Sequence, residues 1–380
     1  MTWHEVSLKQ ICDVDWGNTK LTKSSYVAGG KFLAVSASGA DGLIDHYEHE
    51  ANVPVLSAIG AQCGRMFYPG ERFTAIKNTI TLTPKVEMAD GKFLYYLFTS
   101  VELPQRGAGQ PFISKGDIEA FRVLIPESLE EQRQIVEKLD NAFAEIESLE
   151  ENLDLCNEKA SQLLQSLLGS SFSHSSANDG VGLKVVLLKD ICLEVPRIDP
   201  KLLGRDTFKY LDIGSLSSNS RSIGDVSTVS VADAPGRARQ LLSKNDSVFS
   251  TVRPYMKKIA YIDQSLDNEI ASTGFCVLRP DSKLVEPRFL YHYLYSDLLL
   301  DQVLPLQTGV SYPAIRDGDL KGASIALPTL EQQAKIVKKL DGAFAEIESL
   351  RAQFELKRNY ATMLRQSILS GAFTLREAVA

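Results

Sequence analysis

Cysteine is scarce in this 380-residue chain and poorly placed for a covalent or metal framework. Cys12, Cys63, Cys156, Cys192 and Cys276 are scattered, odd in number and never spaced as CxxC. That argues against a disulfide scaffold or a zinc site and predicts reduced thiols in a cytoplasmic protein. No run approaches 18 consecutive apolar residues, so the sequence predicts no membrane span. The opening Met1-Thr2-Trp3-His4-Glu5 has neither a basic leader nor a long apolar stretch, and it predicts no signal peptide. Also missing are a GxxxxGK[ST] phosphate loop and the Asp/Asn-Pro-Pro-Tyr/Phe tetrapeptide of adenine methyltransferases. Gly107-Ala108-Gly109 begins like a dinucleotide loop but lacks the third glycine and the strand–helix setting. His46 and His49 flank Tyr47-Glu48 without forming HExxH, so no metal site is expected there.

Positive charge is in deficit as well. The net charge of −7 argues at first against a nucleic-acid ligand, but it is unevenly spread. Residues 1–125 carry a net −1, 126–173 a net −8, 174–327 a net 0 and 328–380 a net +2. The acidity is therefore confined to one segment, and the remainder is close to neutral.

What the chain does contain is an internal repeat. The stretch Ile135–Leu149 (IVEKLDNAFAEIESL) recurs as Ile336–Leu350 (IVKKLDGAFAEIESL), 201 residues later. Each copy follows a proline, Pro126 or Pro328, and a Glu/Gln-rich turn. Val6–Cys12 resembles Val186–Cys192 at an offset of 180. Gly107, Pro111, Ile113, Asp117 and Ile118 match Gly309, Pro313, Ile315, Asp319 and Leu320 at an offset of 202. The growing offset puts roughly 22 extra residues in the second copy. Similar ends around a divergent middle suggest one scaffold carrying two different binding surfaces.

The repeated segments read as long helices. In the first, Ile135, Leu139, Ala142, Ile146, Leu149, Leu153, Cys156, Ala160, Leu163 and Leu167 follow a strict heptad. In the second, the same positions are Ile336, Leu340, Ala343, Ile347, Leu350, Phe354, Lys357, Ala361, Leu364 and Ile368. Lys357 is the polar exception, a residue type that can fix register at some cost in stability. Each apolar stripe needs a partner. Pairing within the chain, pairing between chains and packing of each helix on its own lobe are all compatible with the pattern. If the two repeats are related by a two-fold axis, the helices run antiparallel.

Residues 1–125 and 182–327 are richer in β-type runs. Examples are 31–35, 53–59 and 79–83 in the first lobe, and 246–252 and 275–278 in the second. Short helices are expected near Lys92 and Pro287.

Two variable lobes alternate with two near-identical helices that open with Pro and then Glu-Glu-Gln-Arg-Gln-Ile or Glu-Gln-Gln-Ala-Lys-Ile. This arrangement resembles the specificity subunit of type I restriction–modification systems over essentially the whole chain. Ser250-Thr251-Val252-Arg253-Pro254 and Ile270-Ala271-Ser272-Thr273-Gly274-Phe275 also resemble a target-recognition domain of that family. The resemblance implies an α+β fold with two mixed α/β target-recognition domains. Two long helices would separate them and form an intramolecular antiparallel coiled coil with pseudo-two-fold symmetry. The expected boundaries are 1–125, 126–173 (first spacer helix), 174–181 (linker), 182–327 and 328–380 (second spacer helix). The resemblance further implies a non-catalytic chain that binds double-stranded DNA, one half-site per lobe. It would dock two methyltransferase subunits, and restriction/translocase subunits through them. S-adenosylmethionine, Mg and ATP would sit on those partners, with no cofactor and no metal on this chain.

Reading DNA calls for Lys/Arg and small polar groups at phosphates, and for Arg, Asn, Gln, Ser and Thr at base edges. In the second lobe the candidates are Arg253, Tyr255, Lys257 and Lys258, then Ser272 and Thr273. Gln307, Thr308, Ser311 and Tyr312 precede the repeated proline Pro313. The first-lobe counterparts are Gln105, Arg106 and Gln110, before Pro111. Asn18, Lys20, Ser36, Ser38, Arg65, Lys77 and Asn78 complete the set; each is equally compatible with a plain polar loop. The rival readings are a specificity subunit of a related type II-like restriction–methylation system, a coiled-coil scaffold that binds proteins, and a stand-alone enzyme.

Overall fold

A computed structural model describes residues 2–107, 109–173, 184–217, 221 and 223–374. The expected linker 174–181 and Ala108 of the discounted glycine motif lie outside the described residues. The chain divides into two compact units, Met1–Asp154 with Glu355–Ala380, and Leu155–Phe354.

In the first unit, β1 (Trp3–Ser7) leads through the short α1 (Leu8–Ile11) into β2 (Cys12–Trp16). Then come β3 (Phe32–Ser36), β4 (Gly39–Ile44), β5 (Val55–Ser57), β6 (Met66–Phe67), β7 (Phe73–Ala75) and β8 (Thr79–Pro84). They form a four-stranded sheet ordered β2-β8-β5-β6 and a three-stranded sheet β4-β3-β7. Strand β8 is buried on both faces at Thr79, Ile80, Thr81 and Leu82, as a central strand should be. Helix α2 (Gly91–Ser100) starts where Asp90 accepts hydrogen bonds from the Lys92 and Phe93 amides. After α3 (Lys115–Ala120), β9 (Arg122–Pro126) returns to pair antiparallel with β1.

The second unit repeats this plan. β10 (Lys184–Leu187) pairs with β19 (Ser324–Leu327). β11 (Cys192–Leu193), β18 (Phe275–Pro280), β15 (Ser247–Ser250) and β16 (Ile259–Tyr261) make the four-stranded counterpart, in that order. The other sheet, β13 (Ser227–Ser230), β12 (Thr207–Leu211), β17 (Ile270–Ser272) and β14 (Ala238–Leu241), has one strand more than its counterpart. Helix α5 (Pro287–Leu294) has Pro287 in its first turn and Glu286 as N-cap; α6 (Asp297–Val303) and α7 (Asp317–Lys321) follow. Much of the extra length sits in two places. One is β14. The other is the link between β12 and β13, residues 212–226, where the first unit has only the turn 37–38.

The long helices α4 (Leu129–Phe172) and α8 (Leu330–Thr374) run 44 and 45 residues. Thr329 and Gln332 cap α8 reciprocally, the amide of each bonding the other's side chain. In the first unit the N-terminal half of α4 packs with the C-terminal half of α8. Ile135 and Leu139 join Leu369 in one core with Phe93 and Leu97, and Ile368 and Phe373 pack against it. Glu150–Arg365, at 3.8 Å, and Asp154–Arg358 are ion pairs of antiparallel neighbours. In the second unit Leu164, Leu168 and Phe172 share a core with Val337, Leu340, Phe344 and Ile347. There Arg351 donates to Ser161 Oγ at 2.9 Å and to Asn157 Oδ1 at 3.3 Å. The pairing is thus within the chain.

The strict heptad needs correction. Ile135, Leu139, Ile146, Leu153, Leu340 and Ile347 are buried, and Ala142, Ala343, Ile336 and Phe354 are partly so. Leu149 and Leu350 are exposed instead, as are Cys156 and Lys357. By the fourth heptad Leu163 is 69% exposed while Leu164 is 7% exposed. Leu364 is likewise exposed and Ala361 buried. Leu164 lies 29 residues beyond Ile135, eight turns at 3.6 residues each, whereas a heptad count of 28 lands on Leu163.

Candidate nucleic-acid interface

Each lobe brings three sequence-distant loops together at the end of its central strands. In the first lobe the chain leaving β5 receives support from both sides. The Ala58 amide donates to Asn78 O at 2.9 Å, and the Ile113 amide donates to Ala58 O at 2.8 Å. The Gly60 amide donates to Pro111 O at 2.9 Å. Arg106 and Phe112 exchange both backbone bonds at 2.9 Å, closing a tight loop. Gly107 has φ +86°, and a Cβ there would sit 2.6 Å from Gln110 O, so this turn requires glycine.

The second lobe builds the same rim. The Thr251 amide donates to Gly274 O at 3.0 Å, and the Ile315 amide to Thr251 O at 2.9 Å. The Arg253 amide donates to Pro313 O at 2.7 Å, and Thr308 and Ala314 exchange bonds at 2.9 Å. Gly309, at φ +92°, takes the place of Gly107. The backbone frame is shared while the side chains differ.

The candidate residues fall into distinct groups. In the first lobe, Asn18, Lys20, Lys77 and Asn78 lie together. The Asn18 amide bonds Ala75 O, the Lys20 amide bonds Asn18 Oδ1, and the Lys77 amide bonds Leu21 O. Asn78 adopts φ +72° in the turn before β8, a conformation Asn tolerates. The Asn18 side chain donates to Glu48 at 2.6 Å, and Lys20 and Lys77 are exposed. Arg65 is exposed near Phe67, with its guanidinium 5.6 Å from the ring centre. Gln105 reaches Cys63 O at 3.2 Å and ties two rim loops together; Gln110 is exposed on the rim. Arg106 is exposed but ion-paired with Asp117, whose carboxyl is held below its ordinary range by the Ser114 hydroxyl and, further, by Arg106.

In the second lobe, Arg253, Thr273, Ser311 and Tyr312 share the rim. The Arg253 guanidinium lies 4.9 Å from the centre of the Tyr312 ring and donates to Ser311 O at 3.4 Å. Its backbone is left-handed, φ +50°, so the turn that presents it is strained. Tyr255, Thr273, Thr308 and Tyr312 are exposed. Sequence reasoning passed over Val310, fully exposed between Gly309 and Ser311, and Phe112 opposite Arg106; apolar loop residues carry no polar signal.

Five candidates point elsewhere. Ser272 is buried at the end of β17 and accepts from the Gly274 amide, a turn former within the sheet. Ser36 is buried and donates to Asp41, which also receives Tyr26 and Lys23; Ser38 stays exposed beside it. Lys257 spends its ammonium on Tyr295 O and Asp297, both within 2.8 Å. Lys258 donates to Ile213 O at 3.1 Å, and Gln307 donates to Leu304 O at the end of α6. These ammonium and amide groups are held back on backbone carbonyls of the lobe itself, away from the rim.

Cys12, Cys192 and Cys276 lie on strands, and Cys63 is the one thiol whose loop belongs to a rim among the described residues. Burial pushes Cys12 and Cys192 up to about 12, and Cys276 is raised further still, so all three remain protonated thiols. Among the described residues no cluster of His, Cys, Asp and Glu is arranged to hold a metal ion, and no helix is long and apolar enough to cross a membrane.

A family model, type I restriction modification DNA specificity domain, matches residues 1–155 and 181–358. The EcoDI type I specificity subunit of Escherichia coli is 22% identical over 95% of this chain and 88% of its own length. The HindI type I specificity subunit of Haemophilus influenzae is 28% identical, over 34% of this chain and 28% of its own length. Among solved structures, a chain from work on complex assembly and conformational transition of the type I R-M system superposes with TM-score 0.71. It is 18% identical, with 98% of this chain and 97% of that one covered. The HsdS subunit of Thermoanaerobacter tengcongensis superposes with TM-score 0.54 at 19% identity, over 98% and 96% of the two chains.

Proposed function

This chain belongs to the type I restriction modification DNA specificity family, and from that premise we propose that each lobe reads one half of a bipartite duplex sequence. The chain is a specificity subunit, and methyl transfer and cleavage belong to its partners. The observation that supports one reader per lobe is the repeated rim. An identical set of backbone bonds, Ala58/Asn78/Ile113 and Thr251/Gly274/Ile315, displays different side chains in the two lobes. A shared frame with different side chains is what two readers of two sequences require. In the second lobe Arg253, Thr273 and Tyr312 meet base edges or phosphates; in the first, Lys20, Lys77, Asn78, Arg65 and Gln110 do so.

The long helices act as the ruler. A 44-residue helix is about 66 Å long at 1.5 Å per residue, and that length sets the gap between half-sites. They also dock two methyltransferase subunits. Leu356, Tyr360, Met363 and Leu364 recur at helical spacing on α8 and are exposed, a face suited to a partner helix. The methyltransferases hold S-adenosylmethionine and extrude the target adenine. The restriction and translocase subunits, which join through them, use Mg and ATP. The assembly works on DNA in the cytoplasm.

The test is a single-molecule map of modified bases in DNA from cells expressing this chain with its neighbouring methyltransferase. The expected result is a two-part motif with methyladenine in both halves that disappears when the chain is deleted. Methylation that does not depend on the chain, with the methyltransferase active, would overturn the reading. Binding should also weaken steeply with salt, because phosphate contacts release counterions.

A further inference from the structure

One buried glutamine occurs at the same place in both units, with the same three partners. Gln132, in the first turn of α4, is fully buried. Its Oε1 accepts from the Asp90 amide at 2.8 Å, and its Nε2 donates to Met88 O and Pro126 O, each at 3.2 Å. Gln333, in the first turn of α8, is equally buried. Its Oε1 accepts from the Glu286 amide at 2.7 Å, and its Nε2 donates to Leu284 O at 3.3 Å and Pro328 O at 2.8 Å. One side chain thus joins three elements of each unit: the end of the last lobe strand, the N-cap of the lobe helix and the start of the long helix.

A second fastening lies eight residues further along each long helix. Asp140 accepts from Lys92 Nζ at 2.7 Å and from Tyr96 Oη at 2.5 Å, both on α2. Asp341 accepts from Arg288 Nη2 at 2.7 Å and pairs with His292 Nε2 at 2.7 Å, both on α5. Two points on one helix face, just over two turns apart, fix both the position and the angle of the lobe helix against the long helix. The amide geometry admits one arrangement, since each of the three backbone groups needs a partner of the right polarity.

We propose that Gln132 with Asp140, and Gln333 with Asp341, are positioning residues that set the angle of each DNA-reading lobe on its long helix, and so the half-site spacing. This rests on the bipartite-reader function proposed above. The lever is short enough for side-chain bonds to matter. A lobe of about 125 residues has a radius of gyration near 14 Å, so a tilt of roughly ten degrees moves its rim by a few ångströms. One base-pair step is about 3.4 Å.

The experiment uses the chain assembled with its methyltransferase subunits. The probe is a duplex library bearing the wild-type half-sites at spacings from two base pairs shorter to two longer, read by modified-base sequencing. Gln132→Met keeps the side chain's length and removes all three bonds; Asp140→Asn is the milder variant, should the first not fold. Both are expected to raise methylation at spacings one base pair off, relative to the correct spacing, by about tenfold or more. Base preference inside each half-site should not change. Gln333→Met and Asp341→Asn should act alike. Lys92→Arg, which copies Arg288, should keep the wild-type spacing profile. Uniform loss of methylation with an unaltered profile would reduce these residues to ordinary stability contacts and overturn the inference. An unchanged profile at full activity in the folded variants would do the same. A wild-type control that yields no bipartite motif would remove the functional reading itself, and this inference with it.

Discussion

The two units are built on one frame and filled differently, and the difference lies mostly in buried polar groups. At the first unit's lobe–helix junction, Asp140 meets a phenol and a lysine, Tyr96 and Lys92, and the pair Lys92–Asp140 is about one-third exposed. At the second, Asp341 meets Arg288, in a pair exposed to the same degree, and the fully buried imidazole of His292. Arg221 adds a third basic group. It reaches the junction from the long 212–226 link, where the first unit has only the turn 37–38. Its guanidinium lies 3.7 Å from the centre of Phe344 and 4.5 Å from Tyr291. Away from the junction the second unit holds Asp246, with no side-chain exposure, against Arg279 through two bonds of 2.9 and 2.8 Å. Val53 and Thr83 stand at the corresponding strand positions of the first unit. A duplicated scaffold has thus kept its anchoring bonds and absorbed its divergence in an insertion and in buried polar groups. The second unit should be the more fragile toward any change of charge.

The strongest way to break this comparison is Asp246→Ala. It leaves Arg279 largely buried without its carboxylate, and such a break costs about 3–5 kcal/mol. Hydrogen exchange read separately for the two units should show faster opening in residues 184–327 and little change in 2–126. Exchange that rises equally in both would mean that the units do not unfold independently. Replacing both partners by apolar residues of similar volume should recover most of the loss.

Acid should separate the units next. His292 Nδ1 faces Arg221 Nη2 at 3.4 Å, and a guanidinium can only donate, so Nδ1 is the bare acceptor and Nε2 carries the proton given to Asp341. Burial first, then Arg221, lower this imidazole to about 4, while Asp341 partly offsets them. A folded value below the unfolded one near 6.5 means that the unfolded chain takes up the proton first. The stabilisation is therefore full above pH 6.5 and is lost as pH falls toward 4. The loss is of order 3 kcal/mol, at about 1.4 per unit. Melting of the second unit followed from pH 7 to 4 should fall more steeply than that of the first, and His292→Tyr, which copies Tyr96, should flatten it. Equal slopes in the variant and the parent would refute this assignment.

Arg221→Ala should have a smaller effect, about 1–2 kcal/mol, from lost cation–π contact with Phe344 and Tyr291. Protection should drop around Phe344 and leave Phe143 unaffected. The equivalent ring, Phe143, is approached by Arg365 of α8 at 5.2 Å, so Arg365→Ala is the matched experiment for the first unit.

The repeat was legible in the sequence because its anchors are residues whose partners recur in both units, backbone groups for the glutamines and lobe-helix side chains for the aspartates. Gln132/Gln333, Asp140/Asp341 and Gly107/Gly309 recur at nearly constant offset for that reason. The β-rich lobes and the two long helices followed from period and turn chemistry, and the α+β class from the family resemblance. The seam register did not, since a heptad and a 3.6-residue helix diverge by a full position within 29 residues, as Leu163 and Leu164 show. The rims were half legible. Residue type marks Arg253 and Lys257 alike, yet only tertiary structure shows that Lys257 is held by Tyr295 O and Asp297. Arg221 was invisible because its role depends on aromatic rings 70 or more residues away.

The same contrast between exposed and engaged cations gives the finest test of the two lobes. Lys77 is exposed on the first lobe's rim beside Asn78, whereas Lys257 of the second is folded back onto α6. A lysine that neutralises one phosphate adds about 0.9 to the slope of log affinity against log salt, and its removal weakens binding to all sequences alike. Lys77→Ala should therefore lower the salt slope by about one and leave base preference unchanged. Lys257→Ala should leave the slope where it was, because that ammonium is already matched by Asp297 at 2.7 Å. Measuring both slopes with the assembled complex and duplex DNA decides the point. A reduced slope for Lys257→Ala would mean that the lysine leaves Asp297 for a phosphate on binding, and that the rim of the second lobe rearranges where the first does not.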